Sequence, residues 1–329
     1  MEVRILFEQD IRALIGPQEA LVAVRDAFAR LARGEVTLPG VIGLDVPAHQ
    51  GEVHVKGAHL HGSSSFSVKM AAGFYANIAR GLPFASGLVL VFSAETGFLR
   101  ALLFDNAYLT ELRTGAAGAL AADLLAKRDV ARVALLGYGS QARYQLEALL
   151  LVRRPRQVVV WGPSEARAAA AAREMELRFG VPVLAVPTAR DAASGSDLII
   201  TTTPAREPIL RAEWVGPGTH VTAVGSDGPD KHELDVALLS KADKVVADRL
   251  DQCLRLGEIH HAVAAGVLRA EEIHGELGEL AAGLKRGRVS DDEITVADLT
   301  GVGIQDAAVA DRVVASAFEK EIGQTLTVP

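Results

Sequence analysis

Two hydrophobic rhythms run along the chain and meet near Asp129. In the first, Leu21, Val24, Phe28 and Leu31 recur at helical spacing, which predicts a helix over residues 17–33. Pro17 suits the first helical position and Gly34 the stop. Over residues 41–100 the pattern turns strand-like, with apolar runs such as residues 67–70 and 88–92 broken by glycines. A second helix is expected over residues 110–127, with Thr110 as its N-cap and Glu111 behind it. Past Asp129, short apolar runs at residues 133–136, 158–161, 183–186, 198–202, 221–224 and 245–247 alternate with helical stretches. The clearest helix is 164–179, which carries the alanine run 168–172 and stops at Gly180. This alternation predicts a doubly wound parallel sheet. It fades after Leu256, so the sheet reads as complete near residue 250. A last helix is expected over residues 306–319, behind the glycine-rich DLTGVGIQD of residues 298–306, and this tail is expected to return to the first domain. No internal repeat is present.

The segment RVALLGYGSQA, residues 132–142, carries the sharpest chemical signal. An apolar run ends at Gly137, and Gly139 and Ala142 complete a G-x-G-x-x-A turn. Gly137 can make the tight turn, Gly139 lets backbone N–H groups approach a pyrophosphate, and small Ala142 lets the next helix pack on the strand. The helix N-terminus at Ser140 and Gln141 is an anion site. With a strand before it and a helix after it, the turn predicts a dinucleotide site. Further candidate cofactor contacts are Thr202, Thr203, Val224 and Gly225, at the ends of later strands. The tip of the second strand reads VVVWGPSEAR, so Trp161, Gly162 and Pro163 stand where an acid would bond the adenosine ribose. Ser164 and Arg167 follow, and Arg143 is close to the first turn. Missing negative charge plus nearby cations admits a 2′-phosphate, so NAD and NADP both stay open.

Composition narrows the class. A chain of 329 residues, 49% of them hydrophobic, suits two domains with sizeable cores. A formal net charge of −7 argues against nucleic acid or an anionic membrane as partner. Cys253 is the one cysteine, so no internal disulfide can form, and it reads as a packing residue. The opening MEVRILFEQD lacks a signal-peptide core, and no apolar run approaches the about 18 residues of a membrane span, so a cytoplasmic protein is expected. His54, His59 and His61 cluster, but no acid or cysteine completes a metal set nearby, and no metal is expected. His260 and His261 read as a helix-end pair.

Three further segments point to chemistry. FSVKMAAGF, residues 66–74, places Lys69 inside an apolar strand, where an unpaired lysine is rare. TELRTGAAGALAA, residues 110–122, places Arg113 and Thr114 in the first turn of a helix, where a cation is unfavourable for structure alone. TAVGSDGPDKHELD, residues 222–235, places Asp227 just beyond a buried strand, at the crevice where open α/β sheets bind ligands.

Together with GYGSQA and the closing GVGIQD, these segments resemble the ornithine cyclodeaminase and mu-crystallin family over nearly the whole chain. GEVHVKGAH, GLPFASGLVLVFSAETG and ITTTPAREPIL followed by EW are most similar to the branch linked to ectoine utilisation and to iminosuccinate reductases. The resemblance implies a homodimer. It implies an α/β architecture with a Rossmann dinucleotide-binding domain over residues 120–297, and an α+β substrate-binding and dimerisation domain over residues 1–119 with 298–329. Lys69 would bind the substrate carboxylate near the imine or amine, Arg113 would clamp that carboxylate bidentately, and Thr114 would touch cofactor phosphate. Asp227 would be the acid/base at nitrogen, with hydride moving between nicotinamide and the substrate α-carbon.

One departure changes the expected substrate. Counted back from Lys69, ornithine cyclodeaminases place a glutamate where Lys56 stands, and the family's upstream arginine falls nearest Asp45. A lysine repels the cationic tail of ornithine and attracts an anion. The expectation is therefore an NAD(P)-dependent reductase of small imino acids, with Lys69 and Arg113 on the α-carboxylate and Lys56 on a distal one. Deaminating cyclisation, an alanine dehydrogenase-like reaction and a mu-crystallin-like ligand binder are the alternatives. Lys69, Arg113 and Asp227 favour an enzyme, because a binder needs no proton-transfer group.

Overall fold

The computed structural model describes residues 2–327. In chain order the elements begin with β1 (Glu2–Phe7), α1 (Glu8–Leu14), α2 (Pro17–Ala32), β2 (Val36–Thr37), β3 (Ile42–Val46), β4 (Gly51–Leu60), β5 (Ser65–Phe74), β6 (Ala85–Ser93), β7 (Leu99–Phe104) and α3 (Tyr108–Leu125). Then come β8 (Arg132–Leu136), α4 (Ser140–Leu149), β9 (Gln157–Trp161), α5 (Glu165–Phe179), β10 (Val183–Ala185), α6 (Ala189–Ala193), β11 (Leu198–Thr201), β12 (His220–Ala223) and α7 (Val236–Lys241). The chain closes with β13 (Lys244–Ala247), α8 (Leu250–Cys253), α9 (Gly257–Ala264), β14 (Gly275–Glu276), α10 (Leu277–Ala281), β15 (Thr295–Asp298), α11 (Gly303–Glu319) and β16 (Gln324–Thr327). It parts into two compact units: residues up to Arg113 with those from Val302 on, and Thr114–Gly301. No helix among the described residues is long and apolar enough to cross a membrane.

In the first unit an eight-stranded sheet runs β16–β1–β7–β6–β5–β4–β2, with β3 also paired to β4. Side chains alternate between its two faces. Lys56, Lys69, Val89 and Leu103 are cross-strand neighbours in one register row, and all four are buried. Helix α11 packs on β4, β5, β6 and α2. Its first turn comes close because residue 303 is glycine: a Cβ there would lie 2.9 Å from the Gly57 carbonyl oxygen. The adjacent row, Ile42, Val55, Met70 and Leu88, faces the other way, and Ile42 is 66% and Met70 41% exposed.

Helix α3 starts at Tyr108, so Thr110 lies inside its first turn and is not the N-cap. Asp105 does the capping: its Oδ2 accepts from Leu109 N at 2.9 Å. Asn106 and Ala107, with φ of 49° and 68°, bring the chain round. Helix α11 begins three residues before the expected Asp306, because Gly303, Ile304 and Gln305 are already helical.

In the second unit every strand pair is parallel, in the order β10–β9–β8–β11–β12–β15–β13–β14. The strand order reverses between β8 and β11, which makes the switch point of a doubly wound sheet. The sheet is not complete near residue 250. Strand β15 inserts between β12 and β13, and β14 adds an edge. β15 escapes a hydrophobic reading because half of its four buried residues are polar. Thr295 Oγ1 donates to the Leu125 carbonyl oxygen at 2.9 Å, and Asp298 Oδ2 accepts from Ile259 N at 2.9 Å. The Ala/Gly pattern of α3 lets α4 approach: a Cβ on Gly115 would lie 2.6 Å from the Tyr144 carbonyl oxygen.

The carboxyl ends of these strands are held by four buried acids, Glu233, Asp248, Glu258 and Asp298. Glu233 accepts from Thr201 Oγ1 (2.7 Å), Thr203 N (2.6 Å), Thr203 Oγ1 (2.7 Å) and Gly225 N (2.9 Å). Glu258 accepts from Glu233 N and Leu234 N at 2.8 and 3.1 Å. Among the described residues none of the four pairs with a lysine or arginine. Burial therefore pushes Glu233 up to about 7 and Asp298 up to about 8, and raises Asp248 and Glu258 as well.

Glu233 keeps a proton in the folded state that it releases when unfolded, so its contribution to stability is full below about pH 4 and is lost as pH rises through about 7. The melting temperature of wild type relative to Glu233→Gln is expected to fall between pH 5 and 8, by the equivalent of about 3 kcal/mol; a pH-independent difference counts against a protonated Glu233. Helix propensity alone would make Gly115→Ala stabilising by about 1 kcal/mol, whereas the contact with Tyr144 reverses the sign to a loss of about 1–3 kcal/mol in urea unfolding.

Candidate active site

The first unit gathers buried cations around one carboxylate. Lys56 and Lys69 are directly opposed on β4 and β5. Arg113 closes the first unit's part of α3. Asp306 Oδ1, on the first turn of α11, lies 3.0 Å from both Lys69 Nζ and Arg113 Nε. Arg113 Nη1 also donates to Gln305 Oε1 at 2.6 Å, and Lys69 Nζ to Thr110 Oγ1 at 3.2 Å. Arg113 Nε is thus committed inside the protein, so a bidentate grip on a ligand falls to the Nη1/Nη2 end of the guanidinium.

Burial drives Lys69 down to about 7, aided by Arg113 and Lys56 and opposed by Asp306. Burial works against ionisation of Asp306 too, but Arg113, Lys69 and Lys56 outweigh it and hold the carboxyl below its ordinary range. Asp105 is buried nearby and raised by that burial. Asp105 Oδ1, Gln305 Nε2 and Asp306 Oδ2 are buried without a hydrogen-bond partner. Three cations around one ionised carboxylate leave positive charge over, and the orphaned polar atoms want partners. A small anion is the ligand chemistry that such a cluster suits.

The second unit carries the glycine turn. Gly137 follows β8 with φ of 121°, and a Cβ there would lie 2.5 Å from Thr202 Oγ1. That hydroxyl is buried and unpartnered. A Cβ on Gly139 would meet nothing within 4 Å, so the backbone of the turn is approachable. Gly139 is the N-cap of α4 and, as a glycine, brings no side chain to the first turn of Ser140, Gln141 and Ala142. These features fit a dinucleotide pyrophosphate at the switch point. Thr114 follows Arg113, and its carbonyl accepts from Gln145 Nε2 at 2.9 Å. Thr203 and Gly225 are held by Glu233 as described, and Val224 N donates to the Thr201 carbonyl oxygen at 3.0 Å.

At the β9 tip Trp161 is half-buried, and Ser164 Oγ accepts from Arg167 N at the start of α5. The Tyr138 ring rests on Gly162, where a Cβ would come within 2.2 Å of it, and Arg167 lies over that ring at 5.1 Å. Arg143 is engaged within the protein: it pairs with Glu174 and donates to the Tyr138 and Gly139 carbonyl oxygens at 2.8 and 2.9 Å. It braces the turn, which leaves Arg167 as the cation at that tip.

Asp227 lies on the loop after β12 and is half-exposed; its Oδ1 accepts from Lys231 Nζ at 2.6 Å. The Lys231 carbonyl oxygen is held by Ser226 Oγ and, at 2.8 Å, by His261 Nε2. His260 and His261 lie on α9, His261 in its last turn, with ring centroids 5.1 Å apart, and His261 also stacks on His232 at 4.1 Å. Cys253 is buried, with Sγ 3.3 Å from Asp248 Oδ1. His59 and His61 sit with ring centroids 5.8 Å apart, and no group of three or more His, Cys, Asp or Glu among the described residues could hold a metal. Asp45 is exposed on β3.

Sequence reasoning missed Asp306, Gln305, Asp105 and Lys231. The available signal was an acid one residue past Gln305 in an otherwise apolar stretch, since a buried lysine and arginine need a buried partner.

An archaeal alanine dehydrogenase dimer with bound NAD is similar over 99% of each chain, at 40% identity and a TM-score of 0.92. A Thermococcus litoralis Δ1-pyrroline-2-carboxylate reductase, in complex with NADH and L-proline, is similar over 98% of this chain and 99% of that one, at 32% identity and a TM-score of 0.94. The iminosuccinate reductase of Paracoccus denitrificans, in complex with NAD+, matches over the full length of both chains at 30% identity and a TM-score of 0.91. The family model of the ornithine cyclodeaminase/mu-crystallin family matches residues 1–321, and the chain belongs to that family.

Proposed function

We propose that this chain is a cytoplasmic, homodimeric NAD(P)H-dependent reductase that converts a small imino acid, best a dicarboxylate, to the amino acid. The observation that carries this reading is the excess of buried positive charge around Asp306. It asks for an anionic substrate, and the glycine turn and Thr202 of the other unit suit a dinucleotide. Relatives whose substrates are an imino acid or an α-amino acid point the same way.

Lys69 and the outer end of Arg113 hold the α-carboxylate, and Lys56, in the same row as Lys69, takes a distal carboxylate. The bound dinucleotide supplies a hydride to the imine carbon. Asp227 holds the proton at the substrate nitrogen, so the carbon–nitrogen double bond becomes a single bond and the nitrogen ends protonated. Thr114, Ser140, Gln141 and Ala142 serve the phosphates, and Trp161, Ser164 and Arg167 the adenosine ribose. The absence of an acid at the β9 tip and the presence of Arg167 support use of both NAD and NADP. The exposed apolar row of Ile42 and Met70, with Leu44 beside it at 56% exposure, supports a dimer, as in the archaeal relative.

With iminosuccinate, purified enzyme is expected to oxidise NAD(P)H stoichiometrically. Ornithine consumed with ammonia release and no net change in the nicotinamide pool would instead identify a cyclodeaminase. Asp227→Asn is expected to lower kcat by about 10²–10⁴-fold while dinucleotide affinity holds; unchanged turnover removes Asp227 from the reaction. Lys56→Met should weaken a dicarboxylate imine by about 10–100-fold relative to a monocarboxylate one, and an equal loss on both rejects Lys56 as the distal contact.

A further inference from the structure

We infer that Asp306 is a positioning residue: its Oδ1 holds the Lys69 ammonium and the Arg113 guanidinium together, and charged, for the substrate carboxylate. This rests on the imino-acid reading above and extends it to a residue that touches no substrate in that reading.

The geometry is specific. One carboxylate oxygen lies 3.0 Å from each of the two cations. The preceding residue, Gln305, takes a second nitrogen of the same guanidinium at 2.6 Å. Two consecutive residues of one helical turn therefore fix the orientation of Arg113, which is what a carboxylate grip requires. Lys69 gives one hydrogen to Asp306 and one to Thr110, which leaves a third for a ligand. Gly303 makes the arrangement possible, since the turn sits on the Gly57 carbonyl where a side chain would not fit.

A merely structural ion pair explains this poorly. The network is buried, and a buried ion network is weak evidence for stability. Asp306 Oδ2 has no partner, although a carboxylate serving stability alone would be satisfied at both oxygens. What Asp306 does supply is countercharge. The groups around Lys69 are Lys56 on β4, Arg113 and Thr110 on α3, Asp105 before that helix, and Gln305 and Asp306 on α11, while β6 offers apolar Val89. Of the two acids, burial raises Asp105, whereas Asp306, in contact with Lys69 Nζ, is held below the ordinary carboxyl range. Without it, burial and two neighbouring cations leave Lys69 neutral at physiological pH.

Succinate, an unreactive dianion, tests this without turnover. Its affinity for the dinucleotide-loaded wild type, measured by calorimetry across pH 5 to 9, should fall above a break near 7 as Lys69 loses its proton. Lys69→Met should abolish the break, which assigns it. Asp306→Asn should move the break down by about 1–3 pH units, and Asp306→Glu, which keeps the charge, should leave it near the wild-type pH. An unmoved break in Asp306→Asn overturns the inference, even if that variant melts earlier. If Asp306→Asn does not fold, Asp306→Glu decides: a break displaced as far as about 1 unit overturns the inference, and a break in place with altered affinity supports it. No succinate binding by wild type at any pH would overturn the anion grip itself and the function built on it, whereas a wild-type break that Asp306→Asn fails to move sinks the Asp306 inference alone.

Discussion

Lys56 and Lys69 share a register row on the inner face of the first sheet, and Arg113 reaches the same carboxylate as Lys69. Buried cations so close repel one another, and water is not there to screen them. Asp306 offsets part of this charge and cannot offset all of it. Much else in the first unit follows from that constraint. The tail of the chain returns to the sheet as α11 and brings the countercharge with it. Its first turn is glycine at residue 303, so that the acid three residues later reaches the lysine and arginine. Asp105 both caps α3, the helix that presents Thr110 and Arg113, and lies within electrostatic reach of Lys69.

The second unit meets the opposite problem with the same materials. Among the described residues its buried acids have no lysine or arginine partner, so they draw on backbone amides and hydroxyls, and burial raises their proton affinity. Glu233 joins the segment after β11 to that after β12, through Thr203 and Gly225. Those segments carry four of the residues expected from sequence to meet the cofactor, Thr202, Thr203, Val224 and Gly225. A loop fixed at its base by buried carboxyls can carry a half-exposed side chain such as Asp227 without losing its geometry.

The fold was legible wherever backbone requirements speak through residue type. G-x-G-x-x-A announced the turn because Gly137 needs a positive φ and Gly139 an open face. The strands β8 to β13 showed as short apolar runs because parallel strands are buried on both faces. β15 did not, since two of its four residues are polar and are satisfied by partners distant in sequence, which no local pattern reveals. The same limit applies to the site. Lys69 and Arg113 stood out as cations in unsuitable local settings, but Asp306, 193 residues after Arg113 and farther still from Lys69, explains those settings. A countercharge is a tertiary fact; sequence shows that one is needed and not where it stands.

Charge also separates the candidate substrates more sharply than shape does. With Asp306 ionised, the three cations leave a surplus that one carboxylate reduces and two nearly cancel. A cationic amine tail would add to the surplus instead. Unit charges at about 4 Å interact by about 4 kcal/mol at an effective dielectric of 20, so in the proposed site the sign of the substrate's tail favours an imino-dicarboxylate over ornithine. A monocarboxylate such as an alanine-type substrate lies between them. In the proposed site, discrimination between substrate tails rests less on the glycine turn than on Lys56, the residue opposite Lys69.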